Sequence, residues 1–153
     1  GAMLTSLKIQ GAFATQRPIT GLAGAATYNI YGTLLEGANA ILTNSYFPGV
    51  VKGKAATAIA ADYAKAGKTQ DLFTSTGVNA AQMIIAAVKG NPNLDVEKMI
   101  TTLESLSFVG LTGLTKVNKA NHTLIQSMFL TKLTKVNGRY VPSLVSTLYN
   151  VKV

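Results

Sequence analysis

The chain has 153 residues, enough for one domain or for a piece of a larger protein. Hydrophobic residues make up 48% of it and charged residues only 13%, against about 25% charged in a typical soluble domain, which argues against intrinsic disorder. No apolar run reaches the ~18–20 residues that span a bilayer, and the absence of cysteine excludes a disulfide scaffold and a thiolate metal site.

The formal net charge is +8, from 14 basic and 6 acidic residues. An excess of basic residues suggests nucleic acid or an anionic membrane surface as a partner. Only Arg17 and Arg139 are arginines, however, and the basic residues are scattered singly. Base reading and phosphate clamping favour clustered arginine. We therefore expect no nucleic-acid partner and interpret the charge as a solvated surface.

The first third of the chain predicts a strand, a helix and a second strand. Residues 1–3, "GAM", are typical of a cleaved purification tag. The apolar run 18–25 predicts a buried strand that ends in a glycine-rich loop. Residues 26–37 predict a short helix, and residues 38–47 a β-rich segment that stops at Pro48.

A helical region follows. The predicted helices are residues 53–67, 75–90 and 95–106. Ser75 and Asp95 are the expected N-caps of the second and third helices, and residues 68–74 form a polar loop before the second. The apolar runs 55–61 and 80–88 are too short to cross a membrane, and we expect them to be buried helix faces.

The hydrophobic period then changes to that of strands. Residues 111–117 alternate, residues 118–122 form a turn, and residues 123–134 alternate again. Asn137-Gly138 is a favoured hairpin turn before the final run 139–153. In that run Pro142 predicts an edge strand or a break. Alternating helices and strands with a β-rich end predict an α/β fold.

Few residues have the chemistry for catalysis. His122 is the only histidine and lies in a polar turn, which indicates a surface residue and not a metal ligand. Asp95 and Glu97 are neighbouring carboxylates, but they fall in a helix's first turn, where acids are favoured anyway. No nucleophile elbow, P-loop or dinucleotide fingerprint is present. We therefore predict a protein that is not an enzyme and that needs no cofactor or metal.

Four stretches in register resemble the C-terminal part of a type I periplasmic binding protein, the branched-chain-amino-acid-type solute receptor of bacterial ABC transporters. The motif F-x-G-x-T-G is present as Phe108, Gly110, Thr112 and Gly113, with Asn121 after it. The other stretches are residues 61–90, which are similar to a helix pair of that family, residues 18–49 and residues 127–144. Together they cover about residues 17–145.

The resemblance implies an α/β fold of the periplasmic-binding-protein type I class, with flavodoxin- or Rossmann-like lobes, of which this chain is a fragment. Residues 4–47 would belong to the second lobe, residues 48–128 to the first, and residues 129–153 to the return crossing and last strands. It further implies a component of an ABC importer that binds a small solute by hinge closure and meets a membrane permease. Its location would be extracytoplasmic, in the periplasm or lipid-anchored, and a fragment cut this way is expected to expose apolar faces that favour self-association.

The resemblance also implies a solute site on cleft-facing loops. The residues concerned are Ala23, Gly24, Tyr28, Phe73, Thr74 and Ser75. The two aromatic rings would form an apolar wall, and the backbone N–H groups around Gly24 with the two hydroxyls would supply hydrogen bonds. Each residue also has a purely structural interpretation: the rings as core, Ser75 as a helix cap. Residues 21–24, "GLAG", either bring backbone close to a ligand or simply turn the chain.

Ala23 stands where amino-acid receptors of that family often have an acidic residue for the ligand's ammonium, which argues against a zwitterionic ligand. Two other functions stay open. A sensory or structural module of the same fold would bind a protein partner through an exposed apolar patch. A domain for anions or membrane surfaces would use the net charge and depend strongly on salt.

Overall fold

The computed structural model of the chain describes residues 1–152. Val153, the last residue of the predicted final run, lies outside them. The helices are α1 (Ala2–Ile9), α2 (Tyr28–Leu34), α3 (Lys54–Lys65), α4 (Leu72–Val88) and α5 (Val96–Glu104), with short 3₁₀ turns at Ala12–Ala14 and Ala25–Thr27. The strands are β1 (Ile19–Gly21), β2 (Ile41–Asn44), β3 (Ser107–Gly110), β4 (Gly113–Val117), β5 (Leu124–Val136) and β6 (Arg139–Val151). The predicted α/β class is confirmed.

The strands form one sheet with the order β1-β2-β5-β4-β3, and β6 pairs with β5. Strand β5 is the centre of this arrangement. At Phe129–Thr131 it lies antiparallel to β2, and at Leu124–Ile125 it lies antiparallel to β4. Its 13 residues span about 43 Å at ~3.3 Å per residue. One long strand therefore joins the α2/β1/β2 region to the α4/α5/β3/β4 region.

The hairpin between β5 and β6 agrees with the sequence. Asn137 and Gly138 both have positive φ, 48° and 79°, as a type I′ turn requires. Strand β6 runs through Pro142, which pairs with Leu133 of β5. Among the described strands β6 has only β5 as a neighbour. Pro142 therefore sits on an edge strand, where a missing N–H costs no ladder bond.

The interpretation of residues 18–25 as a buried strand is wrong. Strand β1 pairs only with β2 among the described strands, and Ile19 is 72% exposed. An edge strand with one neighbour leaves its side chains open unless a further element covers them. The apolar run indicated the strand but not its place in the sheet.

The apolar helix faces are also not buried. No residue of α3 is buried, and in α4 Ile84 and Ile85 are more than 60% exposed. The buried residues of α4 are instead mostly polar: Thr74, Ser75, Asn79 and Ala87. Apolar periodicity favours a helix face that packs against another element, but within residues 1–152 only Ala87 of the apolar runs 55–61 and 80–88 is buried, beside α5.

Helix α4 begins one turn before the predicted start. Its N-cap is Asp71, whose Oδ1 accepts the Phe73 N–H at 3.0 Å, while the Thr74 hydroxyl accepts the Asp71 N–H at 3.1 Å. This reciprocal capping box satisfies two amides that would otherwise lack partners. Ser75, the predicted cap, is inside the helix. The cap predicted for α5 is confirmed, because Asp95 Oδ1 accepts the Lys98 N–H.

Residues 107–117 form a hairpin, whereas the sequence had predicted a strand only from residue 111. Helix α5 stops at Glu104, and β3 pairs with β4 from Ser107↔Lys116 to Gly110↔Gly113. Only two residues separate the strands, so the glycines of the family motif flank a tight turn. Beyond β4 the predicted polar turn is confirmed, closed by the Asn118 N–H to the Thr123 carbonyl.

The main hydrophobic core lies beneath α2. Its buried members are Leu4, Leu22, Tyr28, Leu35, Ala40, Leu42 and Tyr140. The Tyr140 ring lies directly on Gly32, with its Cγ 2.1 Å from the position a Cβ at Gly32 would take. Helix α2 can approach β6 this closely only because that position carries no side chain. Within residues 1–152 no helix is both long and apolar enough to cross a membrane.

Candidate functional site

The loop after β1 meets the N-terminus of α4, and one carboxylate joins them. Asp71 Oδ2 accepts the Ala25 N–H at 2.9 Å, while its Oδ1 accepts the Phe73 N–H at 3.0 Å. Ala25 precedes Asp71 by 46 residues, so this is a tertiary contact and not a local turn. Two of the predicted site segments are thus brought together.

Gly24 lies in the tightest part of this contact. A Cβ there would be 2.9 Å from Asp71 Oδ2 and 3.0 Å from Phe73 Cε2. Its φ of −64° and ψ of 165° are open to any residue. Glycine is therefore needed for close approach and not for a left-handed turn, and the groups that approach its backbone are the protein's own.

The predicted site residues fall into two groups. Phe73 is 65% exposed, Gly24 is half-buried beside it, and Ala23 is also half-buried. The others are buried: Tyr28, Thr74 and Ser75. The Ser75 hydroxyl donates to the Leu72 carbonyl, and the Thr74 hydroxyl belongs to the capping box. Accessible aromatic surface thus comes from Phe73, while a solute contact for any of the six residues stays a prediction.

A cleft of about 860 Å³ opens beside this contact. Its wall includes Ala25, Tyr28, Asn29, Phe47, Pro48, Gln70, Asp71, Arg139, Tyr140, Val141 and Pro142. Such a volume lies in the range of small-molecule sites. The sequence prediction missed most of these residues. Pro48 and Arg139 each border a turn signal, but only the folded sheet brings β6 to the end of β2.

The cleft is lined by one acidic and one basic residue. Asp71 and Arg139 are its two charged lining residues, and no ion pair joins them in the part of the chain that the structure describes. The apolar side chains of Phe47, Val141 and Pro142 line the same cleft. The cleft therefore offers a carboxylate, a guanidinium and an apolar surface to a small molecule.

Tyr28 in the cleft wall and Tyr46, which bonds to the cleft residue Gln70, have buried phenol groups. Burial, and then the Asp71 carboxylate, raise the pKa of Tyr28 to about 12, and the Asn44 side chain opposes this rise. Tyr28 Oη and Asn44 Nδ2 nevertheless have no partner in hydrogen-bonding geometry. Burial also raises the pKa of Tyr46, whose hydroxyl donates to Gln70 Oε1. Both phenols therefore stay protonated and neutral at physiological pH.

Replacement of Tyr28 by Phe should change how stability depends on alkaline pH. The folded-state pKa lies above the ordinary value of 10.0, so the folded state binds this proton more tightly than the unfolded chain. The stability this contributes is complete below pH 10 and is lost as the pH rises through about 12. Urea unfolding between pH 8 and pH 11.5 should give a shallower decline for Tyr28→Phe than for the wild type. Equal declines would contradict the prediction, and exposed Tyr149→Phe is the control.

His122 is a surface residue, as the sequence indicated. Its Nε2 lies 3.1 Å from Glu104 Oε1, and Lys119 Nζ is 3.1 Å from the other oxygen. A hydrogen bond from Lys119, followed by one from His122, holds the pKa of the Glu104 carboxyl below its usual range. In residues 1–152 no three His, Cys, Asp or Glu side chains are grouped to hold a metal.

The described residues form an α/β protein with an open cleft, and sequence comparison identifies its family. The profile described as "Periplasmic binding protein" matches residues 3–138. The chain therefore belongs to the periplasmic binding protein family. No curated protein matches it.

Solved structures share this fold. An ABC-type branched-chain amino acid transporter from Rhodopseudomonas palustris is 23% identical, with 88% of this chain and 36% of that chain covered and a TM-score of 0.76. A solute-binding protein from R. palustris in complex with p-hydroxybenzoic acid is 13% identical (97% and 41% covered, TM-score 0.77). The leucine-, isoleucine-, valine-, threonine- and alanine-binding protein of Brucella ovis, in a closed conformation, is 18% identical (99% and 42% covered, TM-score 0.77). The chain thus spans well under half the length of these proteins.

Proposed function

We propose that the chain is part of the extracytoplasmic solute-binding component of an ABC importer and that it holds a small polar or amino-acid-like solute between two lobes by hinge closure. Family membership and the solute-binding proteins of the same fold support this proposal. The observation that carries it is the cleft, where Asp71 and Arg139 stand unpaired with each other beside apolar side chains. The protein does no chemistry on its solute and acts with a membrane permease.

The charges of the cleft narrow the class of solute. An arginine suits a carboxylate, which amino acids and hydroxybenzoic acids both carry. Ala23 had argued against a zwitterion because the first loop lacks an acid. In the folded chain Asp71 Oδ2 bonds to the backbone of that loop, so a carboxylate is present there after all. An amino-acid-like solute would place its ammonium towards Asp71 and its carboxylate towards Arg139.

The lobe boundaries belong to the same proposal. Residues 4–47 form part of the second lobe, residues 48–128 part of the first, and residues 129–153 the return crossing with the final strands. Strand β5 supports it, because it pairs with β4 at its start and with β2 near its middle. The protein resides outside the cytoplasm, in the periplasm or held by a lipid anchor. Nucleic acid is not among its partners.

Thermal shift of the protein in its longest native form tests the function. Leucine and 4-hydroxybenzoate are the probes, with isoamylamine and isocaproate as analogues that lack the carboxylate or the ammonium. A solute at 100 times its Kd stabilises by about 2.7 kcal/mol, so at least one carboxylate-bearing probe should raise the Tm by several degrees. Arg139→Gln should abolish that rise, while Lys116→Gln, exposed on β4, should leave it unchanged. The proposal fails if no small organic acid or amino acid raises the Tm.

A second function is supported by the groove between α4 and α5. Its lining is apolar throughout: Ala80, Met83, Ile84, Ala87, Val88, Met99 and Leu103. A module of the same fold that binds a protein partner, or a fragment that self-associates, would cover such a face. Sedimentation of the protein in its longest native form tests the second function, because association that Ile84→Asp abolishes there cannot come from a face exposed by cutting the chain.

A further inference from the structure

We propose that the Asp71 carboxylate is a clasp that holds the loop after β1 against the N-terminus of α4 and so sets how far the cleft opens. The clasp consists of Asp71 and the two amides it accepts, those of Ala25 and Phe73. For the solute site it rests on the proposed function, but its geometry is independent of any solute.

The contact with Ala25 goes beyond what helix capping needs. Asp95 shows what a cap alone requires, because within residues 1–152 its carboxylate accepts one amide, the Lys98 N–H of its own helix, three residues away. Asp71 caps α4 in the same manner with Oδ1 and uses Oδ2 for an amide on a different segment. The two oxygens therefore have different roles: Oδ1 caps α4, and Oδ2 bonds the loop to the helix.

Gly24 provides a second, independent observation. The backbone before Ala25 comes so near to Asp71 and Phe73 that a Cβ at Gly24 would be within 3.0 Å of both. A side chain there would force the loop away from α4. At Gly77, in the middle of α4, a Cβ would have no side chain and no atom of another segment of residues 1–152 within 4 Å, apart from its two chain neighbours. The close fit is thus particular to the clasp.

The clasp lies at the rim of the cleft. Ala25 and Asp71 both line it, on the two segments that the carboxylate joins. Any movement that separates these segments must break the bond from the Ala25 N–H to Oδ2. A charge-assisted bond of this type holds more strongly than a neutral one. The carboxylate therefore acts as a positioning group that keeps the loop closed on α4 until a stronger interaction, such as that with a solute, replaces the bond.

Asparagine at position 71 should keep the helix cap and lose the bond to the Ala25 N–H. Its single amide oxygen still caps α4, since Asn is as good an N-cap as Asp. Its NH₂ group then faces the Ala25 N–H, and two donors cannot bond. Asp71→Asn should therefore release the loop and keep the helix. Asp95→Asn is the matched control, because the Asp95 carboxylate accepts no second amide in the described part of the chain.

Amide hydrogen exchange of this 153-residue chain, read by NMR without solute, tests the clasp. In Asp71→Asn the Ala25 amide should exchange at least about tenfold faster than in the wild type, with α4 still protected. Gly24→Ala should have the same effect. Asp95→Asn and Gly77→Ala should leave Ala25 exchange within about twofold, the scatter expected for a site outside the clasp.

The proposal is overturned if Ala25 exchange in Asp71→Asn stays within twofold of the wild type, or if Asp95→Asn accelerates it equally. Should Asp71→Asn fail to fold, Asp71→Ser replaces it, since a serine caps the helix but is too short to reach Ala25. Its prediction is the same tenfold acceleration, and normal Ala25 protection in that variant also overturns the clasp. If no solute raises the Tm in thermal shift, the proposed function is wrong, but the Ala25 exchange result is unaffected. The two proposals are therefore tested independently.

Discussion

Gly32→Ala should destabilise the protein by about 2 kcal/mol, although Ala is the better helix former. The new methyl group would lie 2.1–2.5 Å from the Cγ and Cδ atoms of Tyr140. Overpacking of this kind costs typically 1–3 kcal/mol and occasionally more, against about 1 kcal/mol gained from helix propensity. Urea unfolding monitored by circular dichroism measures the difference. Since Tyr140 also lines the cleft, solute binding should weaken in parallel.

Gly77→Ala is the control for this effect. It makes the same change inside a helix but meets no neighbouring atom, so it should stabilise by up to about 1 kcal/mol. A double-mutant cycle with Tyr140→Ala gives a further check. With the ring removed, Ala at position 32 should cost much less than in the wild-type background. An equal cost in both backgrounds would show that the Tyr140 contact is not the cause.

Leu42→Ala should cost about 2–5 kcal/mol, the usual range for a buried leucine. Leu42 is 1% exposed and belongs to the core beneath α2. Its carbonyl also accepts the buried Thr131 hydroxyl at 3.0 Å, so the surrounding β2–β5 ladder is held in place and collapse into the new cavity is limited. Chemical denaturation should give a lower midpoint with an unchanged m-value.

Leu144→Ala is the matched control on β6, where the side chain is 50% exposed. It removes the same atoms but creates no buried cavity, so the loss should stay within about 0.5 kcal/mol. Similar losses for Leu42 and Leu144 would mean that β6 is covered in solution, and self-association would then be the explanation to test.

Local signals in the sequence predicted the elements whose stability is local. The Asn137-Gly138 turn and the Asp95 cap act within a few residues, and each is where the pattern places it. The start of α4 was missed, although Asp71 and Thr74 have the three-residue spacing of a reciprocal cap. Aspartate with threonine is a rarer pair than serine with glutamate, and Ser75 was the more obvious cap.

Hairpin β3–β4 was missed for a different reason. Its first strand follows α5 directly, with half its residues exposed, so it carries no strong alternation. It becomes a strand because β4 is held by β5 and then offers its other edge. Strand pairing is a tertiary effect, and no window of a few residues contains it.

Some residues of the candidate site were likewise predicted from the sequence, and others were not. Gly24 and Phe73 were predicted together and do lie together, whereas the role of Asp71 and the presence of Arg139 were not foreseen. These two charged residues are 68 positions apart in the chain and line one cleft only because β5 returns β6 to the end of β2.

The sequence by itself thus determined the α/β class, the turns, the capped helix α5 and the family, since these depend on residue type over short spans or on motifs in register. Only the tertiary structure decided which faces are buried, which oxygen of Asp71 bonds to the first loop, and which charged residues line the cleft. The reason is physical: burial and the grouping of charged residues depend on contacts in space. Two residues that make such a contact can lie far apart in the chain, so local sequence patterns do not show it.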